Sequence, residues 1–399
     1  MTRCRIVFVF VLSLFLALQL PFPTMGPSVA HAGGTIKIDD VRWVSLGAGL
    51  RTSFDMFQYG APNGKSWSQD FAVDDLRLYL NAQPLELVTF EFNTEYQRTP
   101  GAGTETSSSI RILDGVAKFG FNDYVNVWFG RFLPPSDRSN LSGPFYLNAW
   151  DFPFVQMYPN IFAGRDDGAA IWGQVKGGMF KYQFGAFEGK GHCPPGSSLT
   201  CGPTTPNQKD SLLYAGRLVL NLWDPEPGYY NSSTYYGSKN VLAIALSGMH
   251  QSDGAGTSST NFADFNGWNI DFLMERNLGE LGVPTLEGAY YHYDLGGAVP
   301  AVVGVDNPEG SGFFVLGSYL LPLKIGTDKF HGQLQPMARY QEYDNRVKST
   351  GEHNRIDFGL SYIMDGHNAR MTLNYSRDNP EPGGPPRSNI IKFGLQFQI

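Results

Sequence analysis

The chain has 399 residues, and its 30 Lys and Arg against 37 Asp and Glu give a formal net charge of −7. This negative balance argues against nucleic acid as a partner. The chain contains 29 Phe, 20 Tyr and 47 Gly, yet its mean hydropathy is only −0.22. Abundant aromatic residues with modest total hydrophobicity are typical of a sheet with one apolar face and one wet face.

Residues 1–32 have the composition of a secretory signal peptide. Arg3 and Arg5 precede an apolar run at residues 6–20, and residues 30–32 (AHA) supply the small side chains that cleavage needs. That run is short for a membrane-spanning helix, and no later stretch approaches the roughly 18 apolar residues that such a helix requires. We therefore expect a cleaved signal at residues 1–32 and an exported domain at residues 33–399. The signal contains two of the 30 Lys and Arg residues and none of the 37 Asp and Glu residues. The exported domain therefore carries a net charge of −9.

Two cysteines, Cys193 and Cys201, remain after the signal, in a polar stretch rich in Pro and Gly. In an oxidising compartment they can close one loop as a disulfide. The alternative is a pair of free thiols in a loop. Neither reading assigns them any chemistry.

Apolar and polar residues alternate along much of the exported domain. The alternation is strict at residues 75–81, 88–97 and 355–362, which places the two sets on opposite faces of a strand. A soluble sandwich can produce the same pattern. However, many of these runs hold about ten residues, the length that a tilted membrane-spanning strand requires.

Short and long connections separate these runs. Short ones lie at residues 83–86, 122–123, 176–178 and 365–368. Long polar ones lie at residues 60–69, 99–109, 134–167, 188–210, 252–266, 294–309 and 345–353. Such alternation is typical of outer-membrane barrels, whose short turns face the periplasm, and it predicts about sixteen strands. Residues 224–239 break the pattern, because they are long and rich in Tyr, Ser and Gly at a position where a short turn is expected.

The last residues form an amphipathic strand that runs to the end of the sequence. Ile391, Phe393, Leu395, Phe397 and Ile399 alternate with polar residues or glycine. This ending resembles the C-terminal signal read by the barrel-assembly machinery, although the usual last residue is Phe. Because strands can cross lipid only in a closed sheet, the sequence predicts an all-β, transmembrane, antiparallel β-barrel of about sixteen strands. A barrel of that size leaves an aqueous channel.

The connection at residues 131–167 is the most distinctive segment. It has five aromatic residues at positions 145–154 and prolines at 134, 135, 144, 153 and 159. So apolar a loop is expected to fold inward as the third extracellular loop and to narrow the pore. The alternative is a lid packed over the rim of the barrel.

Charged residues on the wet face and in this loop are the candidate site. The candidates for the pore wall and its constriction are Arg51, Arg77, Glu91, Glu95, Arg131, Asp137, Arg138, Asp151, Arg165, Asp166, Asp167, Arg217, Asp271 and Arg339. Rings of charge on a pore wall decide which ions pass. Since the two signs nearly balance here, strong selectivity does not follow. Each charge can also simply solvate the wall and hold its neighbours.

No catalytic, cofactor-binding or metal-binding motif emerges. The seven histidines are scattered, and neither a metalloprotease motif, a haem-attachment motif nor a Gly-x-Ser-x-Gly elbow occurs. His192 and His250 lie near predicted strand ends, where a barrel lipase or protease would place a Ser/His pair, but no nucleophile is marked beside them. The sequence therefore predicts a protein that is not an enzyme and has no cofactor.

Several motifs resemble the phosphate-selective porin O and P family. They are residues 130–135 (GRFLPP), 214–221 (YAGRLVLN), 334–341 (LQPMARYQ) and the C-terminal strand. The resemblance implies a sixteen-stranded, trimeric porin with a constricting third extracellular loop. Phosphate selectivity does not carry over, because that property rests on a ladder of arginines and a cluster of lysines. Here Glu91, Glu95 and Asp271 interrupt the few luminal arginines.

The leading functional hypothesis is a passive porin in the outer-membrane lipid, a homotrimer that lets small hydrophilic solutes or ions diffuse through. The alternative is a barrel that sheathes a multihaem cytochrome and conducts electrons across the membrane.

Overall fold

A computed structural model describes residues 34–100, 106–156, 164–190, 206–298, 309–345, 352–380 and 386–399. The expected signal peptide, His192, Cys193 and Cys201 lie outside these residues. No helix in the described ranges is long and apolar enough to cross a membrane.

The described chain is built almost wholly from strands. They are β1 (Gly34–Lys37), β2 (Trp43–Phe57), β3 (Asp70–Leu85), β4 (Val88–Pro100), β5 (Thr106–Gly120), β6 (Asn126–Phe132), β7 (Asp166–Val175), β8 (Phe180–Phe187), β9 (Leu213–Asn221), β10 (Val241–Ser258), β11 (Asn261–Glu275), β12 (Val283–Asp294), β13 (Gly310–Leu320), β14 (Lys324–Thr327), β15 (Phe330–Asn345), β16 (Glu352–Asp365), β17 (Ala369–Asn379) and β18 (Ser388–Gln398). One short α-helix, α1 (Arg138–Ser142), and three 3-10 turns at Pro144–Tyr146, Lys176–Gly178 and Gly279–Leu281 complete the list.

Sixteen of the described strands, β2–β13 and β15–β18, form a closed antiparallel barrel. Each pairs with its neighbour in the chain, and β18 returns to pair with β2, for example Phe393 with Phe54. The short strands β1 and β14 pair with β2 and β15. Closure satisfies the backbone groups of the first and last barrel strands, which would otherwise be edges. The predicted fold class and strand number are confirmed.

The faces of the wall follow the predicted alternation. On β16, Phe358 and Leu360 point outward and are about half exposed, at 50% and 45%, whereas Asp357 and Ser361 point into the lumen and are buried. On this strand the luminal face is thus polar and the outer face apolar, the arrangement that a barrel in lipid requires. Elsewhere the luminal face also carries buried apolar side chains, among them Trp128, Phe132 and Phe187.

One predicted loop is wrong. Residues 252–266 were expected to form a long extracellular connection, but β10 runs to Ser258 and β11 begins at Asn261. The Gly- and Ser-rich composition suggested a loop, yet cross-strand pairing continues through it after a register shift between Gln251 and Ala255. Pairing with a neighbouring strand thus outweighs weak local propensity.

Candidate functional site: the constricted lumen

The segment between β6 and β7 turns into the barrel, as predicted, and does not cover its rim. Its helix α1 begins with Asp137, whose carboxylate accepts hydrogen bonds from the backbone N–H groups of Ser139 and Asn140 at 3.0 and 3.4 Å. The same carboxylate oxygen, Oδ2, also accepts a hydrogen bond from the wall, where the Tyr291 hydroxyl of β12 donates to it at 2.9 Å. Asp137 is completely buried. Burial, together with the nearby charge of Asp271, raises the pKa of Asp137 to about 7.

Basic side chains of the wall hold the backbone of this inward loop. Arg370 donates to the carbonyl oxygen of Leu147 at 2.8 Å, and Arg339 donates to that of Asp151 at 2.8 Å. Arg51 donates to the carbonyl oxygen of Trp150. Several luminal arginines therefore fasten the loop instead of facing open water.

Two rings of the loop fit against glycines in the barrel wall. Trp150 lies over Gly394 of β18, where an added Cβ would stand 2.6 Å from the indole ring. Phe145 lies over Gly49 of β2, where the corresponding distance is 2.7 Å. A side chain at either glycine would push the loop away from the wall, so these two glycines permit the close approach.

A second segment, residues 222–240 between β9 and β10, also occupies the lumen. It enters from the end where the short turns lie, and we call it the inner turn. Tyr229 stacks on Trp128 of β6 with ring centroids 4.5 Å apart, and farther along Thr234 contacts His367 in the turn between β16 and β17. Since β6 and β17 lie on almost opposite sides of the ring, the inner turn spans the barrel. The sequence marked this segment only as an irregular turn.

An ion pair joins the inner turn to the inward loop. Arg138 donates to both carboxylate oxygens of Glu226, at 2.8 and 2.7 Å, and both side chains are about 1% exposed. Burial alone would raise the pKa of Glu226, but the Arg138 guanidinium outweighs it and lowers that pKa to about 2. Tyr229 adds a hydrogen bond to the Leu133 carbonyl oxygen at 2.9 Å. The two segments therefore form one internal structure.

Solvent still reaches the wall on the side of β3, β4 and β5. Glu91 and Lys118 form an ion pair there, and their side chains keep 15% and 18% exposure. Most luminal side chains on the opposite side, including Ser247 and Gln341, are buried beneath the loop and the inner turn. Contact with solvent inside the lumen is thus limited to a few side chains, among them Glu91 and Lys118.

A chain of charges lies on the luminal face of β2, β3 and β4 at mid-height. Arg51 pairs with Asp75 at 2.7 Å, Arg77 lies 3.5 Å from Asp75, and Arg77 pairs with Glu95 at 2.5 Å. Nearer the outer end, Lys392 contacts Asp151 of the loop at 3.1 Å. Positive and negative side chains alternate along this chain of charges. An electric field of one sign, which would favour ions of the opposite sign, is therefore not expected here.

The other predicted site residues divide into two groups, one buried in the lumen and one on the outward face. Arg217 and Asp271 pair at 2.5 Å, Arg165 and Asp114 pair at 3.1 Å, and all four are buried in the lumen. Asp166 also lies on the luminal face of β7, where it accepts a hydrogen bond from the Gly189 N–H at 2.6 Å.

Arg131 and Asp167 are placed differently from the prediction. They share the outward face with Phe129, and they pair with each other at 3.0 Å. They were assigned to the constriction because they flank the loop, but strand alternation turns their side chains away from the lumen.

Sequence reasoning missed Glu226, Asp75 and Asp114 as partners of the luminal cations. No local pattern marks them, because each meets its partner only after strands or segments distant in sequence come together. Within the described residues, no group of three or more His, Cys, Asp or Glu could hold a metal ion.

Solved structures with this architecture come from bacterial outer membranes. The anion-selective porin from Comamonas acidovorans superposes with a TM-score of 0.56 at 12% identity, over 90% of this chain and 100% of that chain. OmpF of Salmonella typhi, solved with daunomycin, has a TM-score of 0.56 at 11% identity, over 92% of this chain and 100% of that chain. The chain has the fold of an outer-membrane porin.

A third structure with the porin fold is the trimer form of OmpT, an outer-membrane protein of Vibrio cholerae. It has a TM-score of 0.51 at 13% identity, over 90% of this chain and 100% of that chain. No protein-family model and no curated protein sequence matches the chain. At these identities the likeness concerns the fold alone.

Proposed function

We propose that the protein is an outer-membrane porin through which small hydrophilic solutes and ions diffuse passively. The observation that carries this proposal is the closed sixteen-stranded barrel, whose luminal face carries many polar and charged side chains and whose third long loop folds inward and narrows the lumen. A wall that is apolar outside and polar inside suits a channel in lipid. The porin fold of the solved structures named above agrees with it.

We propose only weak ion selectivity for this pore. Glu91 lies beside Lys118, and Glu95 beside Arg77, so these luminal cations have acidic neighbours. Arg339 and Arg370 are engaged by carbonyl oxygens of the loop. Selective binding of phosphate needs an uncompensated row of cations, and this arrangement does not favour it.

The alternative of a sheath around a multihaem cytochrome is less favourable. The inward loop and the inner turn together span the lumen, and their contacts with each other are buried. A haem protein would have to displace both segments. Copurification of a haem protein with the barrel would support the sheath.

Trimeric assembly belongs to the same proposal. It is suggested by the family resemblance and by the trimer form of the Vibrio cholerae protein with this fold. Chemical cross-linking in the native membrane, followed by electrophoresis, would count the subunits.

The proposal is tested by single-channel current through the purified protein in a planar bilayer, with a salt gradient to read the reversal potential. Stable ohmic steps with a small reversal potential are expected. Deleting residues 145–154, the aromatic part of the loop, should raise the conductance. A folded, heat-modifiable barrel without any conductance would contradict the proposed function.

A further inference from the structure

Three polar side chains form a connected group on the outward face of the wall. His250 and Ser252 lie two residues apart on β10, so they share one face, while Gln251 between them is buried in the lumen. Asn266 of β11 is the direct cross-strand partner of His250. All three lie toward the end of the barrel opposite the short turns.

The hydrogen bonds run in the order of a nucleophile, a base and an orienting group. The Ser252 hydroxyl lies 3.3 Å from Nε2 of His250, and Nδ1 of His250 lies 2.8 Å from the Asn266 amide oxygen. Since an amide oxygen can only accept, Nδ1 carries the proton and Nε2 presents its lone pair to Ser252. Serine and cysteine hydrolases on unrelated folds use this geometry, and the first distance is often long before substrate binds.

A second His–Ser pair on the same face has a different hydrogen-bond arrangement. His292 contacts the Ser311 hydroxyl at 2.9 Å, but through Nδ1. Its ring lies beside Trp268, with centroids 5.6 Å apart. At His250, Nε2 faces the serine and Nδ1 faces an orienting group, whereas His292 contacts its serine through Nδ1. The second pair therefore serves as an internal comparison.

The position of the group indicates its substrate. Tyr214 of β9 is the register partner of His250, and Trp268 follows on the outward face of β11; their exposed fractions are 57% and 40%. Toward the rim the same face carries Asp264. Exposed aromatic residues form girdles at the boundary between hydrocarbon and headgroups. Ester groups of membrane lipids lie at that depth.

We propose that Ser252, His250 and Asn266 form a hydrolase site that cleaves ester-linked acyl chains of membrane lipids. This activity goes beyond diffusion through the lumen, because the site faces lipid on the opposite side of the wall. Ser252 is the nucleophile, His250 is the general base and acid, and Asn266 orients the imidazole.

The reaction proceeds in two balanced steps. Ser252 Oγ attacks the ester carbonyl carbon while its proton passes to Nε2 of His250; the C–O bond to the alcohol then breaks, and the alcohol leaves with that proton. Water next attacks the acyl-serine, giving its proton to His250, and the acid leaves as the proton returns to Ser252. One ester and one water become one carboxylic acid and one alcohol.

The backbone near Ser252 would have to supply the donor to the oxyanion. Register pairing with β11 stops at Gln251 and resumes at Ala255. Within this interval the Asp253 N–H donates to the Asp264 carboxylate at 2.9 Å. Backbone donors near the nucleophile stabilise the charge that develops on the carbonyl oxygen.

The test uses the purified full-length barrel with mixed detergent micelles of a glycerophospholipid, and separately with lipopolysaccharide, measuring released fatty acid. We expect release from at least one lipid; which one identifies the source of the ester. Ser252→Ala should lower the rate by about 10³-fold or more, and Asn266→Ala by about 10-fold or more. Asn266→Asp, which keeps the acceptor, should retain more activity than Asn266→Ala.

The matched control is Ser311→Ala, which removes a serine hydroxyl from the other His–Ser pair and should leave the rate unchanged. A long-chain alkyl sulfonyl fluoride should label Ser252, as read by peptide mass spectrometry, and should not label Ser311. Heat-modifiability and single-channel conductance of Ser252→Ala should match those of the unmodified barrel. Absence of both release and labelling, or equal release by Ser252→Ala, would overturn the proposal.

Discussion

Charged side chains in this lumen act largely as supports. Arg138 and Glu226 are both about 1% exposed and neutralise each other, as do Arg217 and Asp271. Buried pairs contribute little net stability, because desolvation offsets their attraction, but removing one partner costs about 3–5 kcal/mol. We therefore expect the ion selectivity of the proposed pore to depend on the few charges that keep contact with solvent.

Lys392 is one of these charges, and it provides a test of selectivity. Lys392→Met should shift the reversal potential toward cation preference, because it leaves Asp151 and Asp55 without the cation that lies 3.1 and 3.6 Å from them. Arg131→Met removes the same charge from the outward face and should leave the reversal potential unchanged. Reversal potentials in a salt gradient measure both. An equal shift in the two variants would contradict the assignment of Arg131 to the outer face.

Asp137 gives the barrel a pH dependence. Its pKa is raised from 3.8 to about 7, so its contribution to stability is complete below about pH 4 and is lost as the pH rises through about 7. We expect the unfolding temperature to fall between pH 5 and pH 8, and Asp137→Asn should reduce that fall. The effect corresponds to roughly a few kcal/mol.

The measurement is the temperature at which the folded band disappears in electrophoresis, at pH 5 and at pH 8. Asp328→Asn, in an exposed turn, serves as the control and should leave the fall unchanged. A fall of the same size in Asp137→Asn would assign the pH dependence to other groups.

At the scale of elements, the inner turn is the least expected feature of the molecule. Backbone pairing continues beyond β9 and β10 as far as Asp224 and Asn240, whose N–H and C=O groups bond at 2.8 Å. The remaining residues leave the sheet and enter the lumen. The segment can thus be removed without disturbing either strand.

Replacing residues 225–239 by Asn-Gly should produce a tight hairpin and a wider lumen. Conductance should rise about two-fold or more, because the inner turn spans the barrel on the side of the short turns. Arg138→Met and Lys181→Met in the same variant remove the two buried cations whose partners, Glu226 and the carbonyl oxygens of Gly228 and Tyr230, lie in the replaced segment. Single-channel recording measures the change.

A matched control replaces Asp328-Lys329, also between two paired strands, by Asn-Gly. These residues are exposed and lie in a turn outside the lumen, so conductance should stay the same. Unchanged conductance in the folded inner-turn variant would mean that the inward loop alone limits the current.

At the scale of the whole molecule, closure of the barrel makes the remaining structure possible. Ala48 and Ile399 exchange backbone hydrogen bonds at 2.9 and 3.0 Å next to the β2–β18 ladder. Without β18, the strands β2 and β17 would both present unpaired N–H and C=O groups. Each such group costs several kcal/mol in lipid.

Removal of residues 388–399 should therefore abolish the folded, heat-modifiable form. Ile399→Phe, which restores the usual last residue, should fold at least as well as the unmodified chain. Electrophoresis with and without heating, after refolding into detergent, measures both. A folded species from the truncated chain would show that closure does not depend on β18.

Much of the fold could be predicted from the sequence, because strand alternation and turn spacing are local properties. Residues 355–362 show which side chains face outward without any knowledge of their neighbours. The proline- and aromatic-rich loop could be expected to fold inward on composition alone. Local pattern also misled, since the Gly- and Ser-rich residues 252–266 are mostly strand.

The barrel, its size and the inward third loop could be predicted, since they follow from period, length and hydrophobicity. The partners of the buried charges, the entry of the inner turn into the lumen and the outward position of Arg131 and Asp167 could not. The Asn266–His250 contact depends on the register of one hairpin. Arg138–Glu226 and Arg217–Asp271 join residues 88 and 54 positions apart, and such pairs form only when distant segments pack together inside the barrel.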